Sequence, residues 1–305
     1  METQEASPAL DSGKAGRTPA RPSWFKRLVA QEDLNFLLTN RVPRIALTKA
    51  MGRFSRIESP LLTKLTIAVW RLFTPLDLSE AKHTQFRSLK DCFTRELKPG
   101  SRVFDARREV FASPSDAIVG ATDVVQQGQV YQAKGFPYST EELFGPTQDA
   151  SGFEGGRFVT LRLTSAMYHR FHAPADGTVE HVTYLSGDTW NVNPVALKRV
   201  ERLFCRNERA VVRMTLASGH AVALVPVAAI LVASIRLHFL DVLLHLGRQG
   251  ANEMPCKAPH VKGQEMGWFE HGSTIIVFVP KGFELAEGIA PGVQIRAGQA
   301  LLKLS

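Results

Sequence analysis

Lys262-Gly263-Gln264-Glu265-Met266-Gly267-Trp268-Phe269-Glu270-His271-Gly272-Ser273-Thr274-Ile275-Ile276-Val277-Phe278 is the stretch from which the rest of the chain can be read. Ile275 to Val279 is apolar and β-branched, the signature of a buried strand. Gly272-Ser273-Thr274 stands where the chain enters that strand. Glycine tolerates unusual backbone angles, and the hydroxyl of the next residue is able to reach the preceding carbonyl. Self-cleavage at a serine requires that arrangement. Gly-Ser is also a common dipeptide at an ordinary turn into a strand, so other parts of the chain must decide between the two readings.

The 305 residues suffice for one large domain or two small ones. A composition of 44% hydrophobic and 22% charged residues places the chain among globular proteins. The net charge of +8 suits a phosphate-bearing partner, either nucleic acid or an anionic membrane surface. No nucleic-acid motif and no interleaved aromatic-basic stripe accompanies it, so no nucleic-acid partner is expected. Cys92, Cys205 and Cys256 lie far apart without a CxxC pair. That argues against a disulfide framework or a zinc site and fits a reducing compartment; no metal is expected. Residues 1–23 are polar and rich in Ala, Ser, Gly and Pro, and read as a disordered tail without a secretory signal. The longest apolar run, Ala221 to Ile235, is short for a membrane span and contains Pro226, so it reads as two buried strands. The expectation is a soluble or peripheral protein.

Helical periodicity marks 24–98. In Arg44 to Ile57, Leu47, Ala50, Met51 and Phe54 share a face and Lys49, Arg53 and Arg56 another. Pro60 opens a second helix with Leu62, Leu65, Val69, Leu72 and Phe73 at helical spacing and Lys64 and Arg71 outside. Basic amphipathic helices of this kind suit the plane of an anionic membrane, and equally the surface of the rest of the protein. Ser88-Leu89-Lys90-Asp91 resembles a capping box that opens a short helix. From residue 99 short β-type runs replace the helical pattern, among them Val110 to Ala112, Gln129 to Ala133, Phe158 to Leu163, Val179 to Tyr184, Val211 to Leu216 and Val222 to Val227. Ser139 to Phe144 and Leu197 to Cys205 read as short helices. The fold class is therefore α+β, a helical N-terminal part followed by a β-rich domain over 99–305.

Two segments of the β-rich part look alike. Ser113-Pro114-Ser115-Asp116-Ala117-Ile118-Val119 resembles Ala173-Pro174-Ala175-Asp176-Gly177-Thr178-Val179, and the tail from Pro291 to Leu301 has the same turn-strand-turn character. Such units resemble the hammerhead sheets of barrel-sandwich proteins. The carrier lysine of lipoyl and biotin domains is missing, so that likeness is architectural.

Three places carry groups suited to chemistry. Tyr168-His169-Arg170-Phe171-His172 holds two histidines three apart beside a turn, Asp116 follows Pro114 in a turn, and Ser273 follows Gly272. Asp, His and Ser are the components of a nucleophilic triad, with Asp orienting His and His taking the serine proton. The Gly-x-Ser-x-Gly elbow of hydrolases is absent. Taken singly, Asp116 is equally a turn former and the histidines are equally structural.

Taken together the stretches say more. Phe93-Thr94-Arg95-Glu96-Leu97-Lys98-Pro99, Ser113-Pro114-Ser115-Asp116, Lys134-Gly135 with Tyr138-Ser139 and Glu142-Leu143, Tyr168-His169-Arg170-Phe171-His172, Asn207-Glu208-Arg209, Lys262-Gly263-Gln264-Glu265-Met266-Gly267 and Gly272-Ser273-Thr274 occur in the order seen in phosphatidylserine decarboxylases. From about Arg41 to the C-terminus the chain resembles that pyruvoyl-dependent, self-processing family. The resemblance implies that Ser273 attacks the Gly272 carbonyl with His172, oriented by Asp116, as base. It implies cleavage between Gly272 and Ser273 and a pyruvoyl cofactor made from Ser273, an electrophile that takes up the substrate amine and accepts electrons as carbon dioxide departs. It assigns His169 to the decarboxylation step.

The implied partners are phosphatidylserine and an anionic membrane surface. The large and small chains are expected to stay associated after cleavage, and self-association is left open. The implied location is peripheral, on the cytoplasmic face of a bacterial-type cell membrane. Two alternatives stand beside this reading, an unprocessed lipid-binding paralogue and a pyruvoyl decarboxylase of another amine-bearing acid. Departures from the family pattern bear on the rate of processing: Ala117 replaces the usual glycine after the aspartate, and His271 the usual Leu or Val before Gly272.

Overall fold

The computed structural model describes Phe36 and residues 42–133, 136–231, 234–248, 250, 252–270 and 273–305. The tail expected at 1–23 and the residues Lys134, Gly135, His271 and Gly272 lie outside the described residues.

Both amphipathic segments are helices, α1 (Arg44–Ser55) and α2 (Pro60–Phe73). Ser59 caps α2 by accepting from the Leu62 N–H, and Pro60 occupies the first turn, where its missing N–H costs nothing. Their inward faces mix polar and apolar residues. α1 buries Thr48 and Ser55, and α2 buries Thr63 and Ile67. Leu61, Leu65, Leu72 and Phe73 of α2 stay exposed, at 81%, 62%, 77% and 64%. The short helix α3 (Leu89–Phe93) follows, capped as expected by the Ser88 side chain, which accepts from the Asp91 N–H. Ile67, Leu76, Phe86, Leu89, Cys92 and Phe93 form a small core between these helices and the loops that join them.

The strands begin with β1 (Val110–Ala112), β2 (Ala117–Val124), β3 (Gln129–Ala133) and β4 (Phe136–Ser139), then helix α4 (Thr140–Phe144). Next come β5 (Arg157–Arg162), β6 (Arg170–His172) and β7 (Gly177–Leu185). The single helix expected over Leu197 to Cys205 is instead two short ones, α5 (Pro194–Leu197) and α6 (Leu203–Arg206). Arg202, in the left-handed region at φ 52°, breaks the run between them. The remaining strands are β8 (Arg209–Leu216), β9 (Ala221–Val227), β10 (Ser234–Leu237), β11 (Val242–His245) and β12 (Glu253–His260). The chain ends through β13 (Glu265–Phe269), β14 (Thr274–Val279), β15 (Phe283–Leu285), β16 (Gln294–Ile295) and β17 (Ala300–Leu304).

The largest sheet has eight strands in the order β12-β7-β8-β9-β14-β5-β2-β16. A four-stranded sheet runs β11-β10-β13-β6, a three-stranded one β1-β17-β15, and β3 pairs with β4; none closes into a barrel. β14 lies between β9 and β5 with every residue buried, as its unbroken apolar run demands. The fold is thus α+β with sheets dominant, as expected. The sequence motif at Glu265–Phe269 is itself a strand, in a different sheet from β14. In that strand Gly267 is required by close approach, because a Cβ there would lie 1.8 Å from the Arg236 carbonyl oxygen of β10.

The two look-alike turns meet in space. The Ala112 N–H donates to the Pro174 carbonyl at 2.9 Å, and the His172 N–H donates to the Pro114 carbonyl at 2.8 Å. The C-terminal turn joins them, with the Ser113 N–H donating to the Gln299 carbonyl at 2.8 Å. This mutual bonding brings Asp116 and His172, far apart in sequence, to one end of the molecule.

Candidate active site

Ser273 is the residue before β14, fully buried, its carbonyl accepting the Leu163 N–H at 2.8 Å. Its hydroxyl has no hydrogen-bond partner among the described residues. An orphaned buried hydroxyl is costly to keep and calls for an explanation, a chemical role among them. Beside it opens a cavity of about 520 Å³. Leu163 and Thr164 after β5, Ala229 and Ile230 after β9, Trp70 and Val69 of α2, and Phe93 of α3 all line it. It lies beyond the end of the large sheet at which β14 begins, between the sheet and the helices.

The two histidines take different positions. His169 is fully buried just before β6, its carbonyl accepting the Phe269 N–H at 3.0 Å and its ring set edge-on to Phe93, 5.7 Å between centroids. Phe93 lines the cavity, so His169 stands one side chain behind its wall. His172 ends β6. Its Nδ1 lies 2.9 Å from the Gly263 carbonyl oxygen and its Nε2 3.1 Å from the Tyr168 hydroxyl. A carbonyl only accepts, so Nδ1 carries the proton, and Nε2 of the neutral ring is left as an acceptor for the Tyr168 O–H. Gly263 holds its carbonyl there from a backbone at φ 85°, a conformation that favours glycine. Burial lowers the His172 pKa below the ordinary histidine value, outweighing the bond to Gly263, which raises it. The ring is therefore a neutral base near pH 7.

Asp116 is buried and fully engaged. Its carboxylate accepts a two-point contact from Arg102, with Nε at 2.7 Å, and the Ala297 N–H at 2.9 Å. Arg102 also pairs with Glu80 at 2.9 Å, and its guanidinium lies 5.7 Å from the centre of the Tyr168 ring. Asp116, Arg102, Tyr168 and His172 thus form a continuous cluster. Among the described residues no hydrogen bond joins Asp116 to His172, or either to the Ser273 hydroxyl. Ala117 begins β2 without a positive φ, so this position needs no glycine conformation here.

Three charged residues near the site were not singled out from sequence. Arg102 clamps Asp116; Glu270, two residues before Gly272, is buried between Lys90 and Arg56; Arg162 ends β5 beside the cavity. Arg162 carried a signal, a cation closing the otherwise apolar run Phe158 to Leu163. The other two depend on pairings across the fold.

A fully buried serine at a strand entrance, its hydroxyl without a partner among the described residues, defines a candidate self-processing enzyme. The profile of the family described as phosphatidylserine decarboxylase matches residues 89–303. A Brevibacillus brevis protein named phosphatidylserine decarboxylase proenzyme is 33% identical over 270 residues, 87% of this chain and 95% of that relative. Relatives of the same name from Myxococcus xanthus and a Shewanella strain are each 34% identical, covering 88% and 90% of this chain and 98% and 97% of their own lengths. The chain belongs to the phosphatidylserine decarboxylase family.

Proposed function

We propose that the protein is made as a proenzyme that cleaves itself between Gly272 and Ser273 and then decarboxylates phosphatidylserine to phosphatidylethanolamine. The carrying observation is the buried, partnerless Ser273 hydroxyl beside an apolar cavity. In the processing step the Ser273 oxygen bonds to the Gly272 carbonyl carbon, its proton passes to His172 Nε2, and the amide nitrogen leaves as the Ser273 amine. An ester now joins the two residues. Loss of the Ser273 Cα proton expels the Gly272 carboxylate, which ends the large chain, and water then replaces the nitrogen of the small chain's first residue as ammonia. Asp116 acts on His172 through the cluster described above, and His172 exchanges Tyr168 for Ser273 during the reaction.

The residues fit the resulting pyruvoyl group: a fully buried position at a strand start, next to Leu163, suits a small uncharged carbonyl group. Once formed, the group supplies an electrophile for the lipid amine and a sink for the electrons released with carbon dioxide. His169 supplies the proton that replaces the lost carboxylate. The β14 pairings with β5 and β9 keep the small chain in the sheet after cleavage.

No helix among the described residues is long and apolar enough to cross a membrane. α1 and α2 are proposed as a membrane-facing part, distinct from the catalytic part over 99–305, lying on the cytoplasmic face of an anionic bilayer. The outward apolar face of α2 supports this reading, since Val69 belongs both to that face and to the cavity.

The test is reductive trapping. Sodium cyanoborohydride added with phosphatidylserine should link the lipid nitrogen to the small chain and inactivate the protein. An active protein with no lipid attached to the small chain under these conditions would exclude the pyruvoyl reading.

A further inference from the structure

Arg162 is the charged residue of the cavity wall. It pairs through its backbone with Thr274, the residue after Ser273, and with Ile118 of β2. Its guanidinium has no hydrogen-bond, ion-pair or ring partner among the described residues, although the residue is partly buried. The more deeply buried arginines all have acceptors: Arg95 donates through both Nη atoms to the Cys92, Ala166 and Met167 carbonyls, Arg209 to those of Leu143, Cys205, Asn207 and Glu142, and Arg102 to Asp116. Arg162 alone of these has no acceptor, and its partial burial disfavours the charged form. A cation retained in an apolar cavity at such a cost matches an anion that arrives with the ligand.

The lipid headgroup offers two anions, the carboxylate to be lost and the phosphodiester. The carboxylate gives up its charge as the carbon-carbon bond breaks. A guanidinium clamped on it would stabilise the ground state more than the transition state and slow the reaction. The phosphodiester keeps its charge throughout, so binding it costs no rate. We infer that Arg162 binds the phosphodiester of the lipid headgroup inside the cavity, anchoring the substrate with its amine toward position 273. This rests on the cavity being the headgroup site of the proposed enzyme.

Arg162→Gln and Arg162→Lys, processed and assayed in neutral detergent micelles, separate the roles. Arg162→Gln should raise KM for phosphatidylserine roughly 10- to 100-fold, the range for a lost charge-assisted hydrogen bond, with kcat changed far less. Arg162→Lys should recover part of the loss. Both should self-cleave as the parent does. The ligand-free Tm of Arg162→Gln should equal or exceed the parent's, because an uncompensated charge has gone.

Two competitors then identify the anion. Glycerophosphoethanolamine carries phosphodiester and amine without carboxylate; serine carries carboxylate and amine without phosphate. Arg162→Gln should lose inhibition by the first and keep that by the second. An unchanged KM, or loss of serine inhibition instead, overturns the assignment, and so does a variant that fails to self-cleave. A parent protein that neither cleaves nor decarboxylates overturns the underlying function instead, which keeps the two failures distinct.

Discussion

Glu270 Oε2 accepts a hydrogen bond from Arg56 Nη2 at 2.7 Å, so the residue that caps the end of α1 grips the segment that leads toward Ser273. Lys90 Nζ stands 2.9 Å from the other carboxylate oxygen, and the Glu270 side chain is only 3% exposed. Burial alone would raise this carboxyl; Lys90 and Arg56 together hold it below the ordinary glutamate value, ionised. Removing both cations by Lys90→Ala with Arg56→Ala leaves a buried charge and should cost about 3–5 kcal/mol in urea unfolding. Adding Glu270→Leu should restore most of it. A double variant as stable as the parent would show that the contact carries no weight.

His172 should govern the pH profile of self-cleavage. Its pKa is lowered, so the neutral base persists below the ordinary histidine range and the rate should fall only at still lower pH. His172→Ala should remain one uncut chain, whereas His169→Ala should cleave and lose decarboxylation. The check is the fraction cleaved with time across a pH series of freshly refolded protein. A midpoint above that of free histidine, or normal cleavage in His172→Ala, speaks against the base assignment.

Glu208 should make stability fall as pH rises from the acid range to about neutrality. Burial raises its pKa to about 7, opposed by the hydrogen bond from the Tyr184 hydroxyl at 2.7 Å. A folded-state value above the unfolded one of 4.5 gives a contribution that is complete below that pH and lost as pH rises through about 7. The whole effect is on the order of 3 kcal/mol. Glu208→Gln should flatten the decline of Tm between about pH 5 and pH 8. A parent Tm equally pH-dependent in the variant would rule this out.

Membrane binding should depend more on α2 than on salt. The basic residues Lys49, Arg53, Lys64 and Arg71 are exposed, and each contributes about 1 kcal/mol on an anionic surface at low salt. Leu61, Leu65, Leu72 and Phe73 are each worth about 1.5–3 kcal/mol if buried, so the apolar sum is larger. Leu65→Ser with Leu72→Ser should therefore lower liposome partitioning roughly 100-fold or more, while high salt weakens it less. Unaltered sedimentation of the double variant with liposomes would contradict the proposed docking face.

The helices and the central strands were legible because their signals are local. Pro60 and Ser88 mark helix starts by their own chemistry, and the unbroken run Ile275 to Val279 reads as a buried strand. The orientation of α1 and α2 was not legible, since periodicity shows that a face exists without showing what it meets; here Thr48 and Thr63 face inward. The candidate residues were named through family order, but their surroundings were hidden. The Asp116 contact with Arg102, the Gly263 carbonyl on His172 and the Arg56 contact with Glu270 join residues 14, 91 and 214 positions apart, which no spacing rule reaches.

The central claim is that Ser273 becomes the modified first residue of a separate small chain, and the intact mass of the purified protein tests it most directly. The account predicts two chains, residues 1–272 and 273–305, the smaller lighter by one ammonia than a peptide that begins with serine. Ser273→Ala should give one uncut chain. A small chain with the full mass of an N-terminal serine, or an active protein that is wholly uncut, would contradict the account.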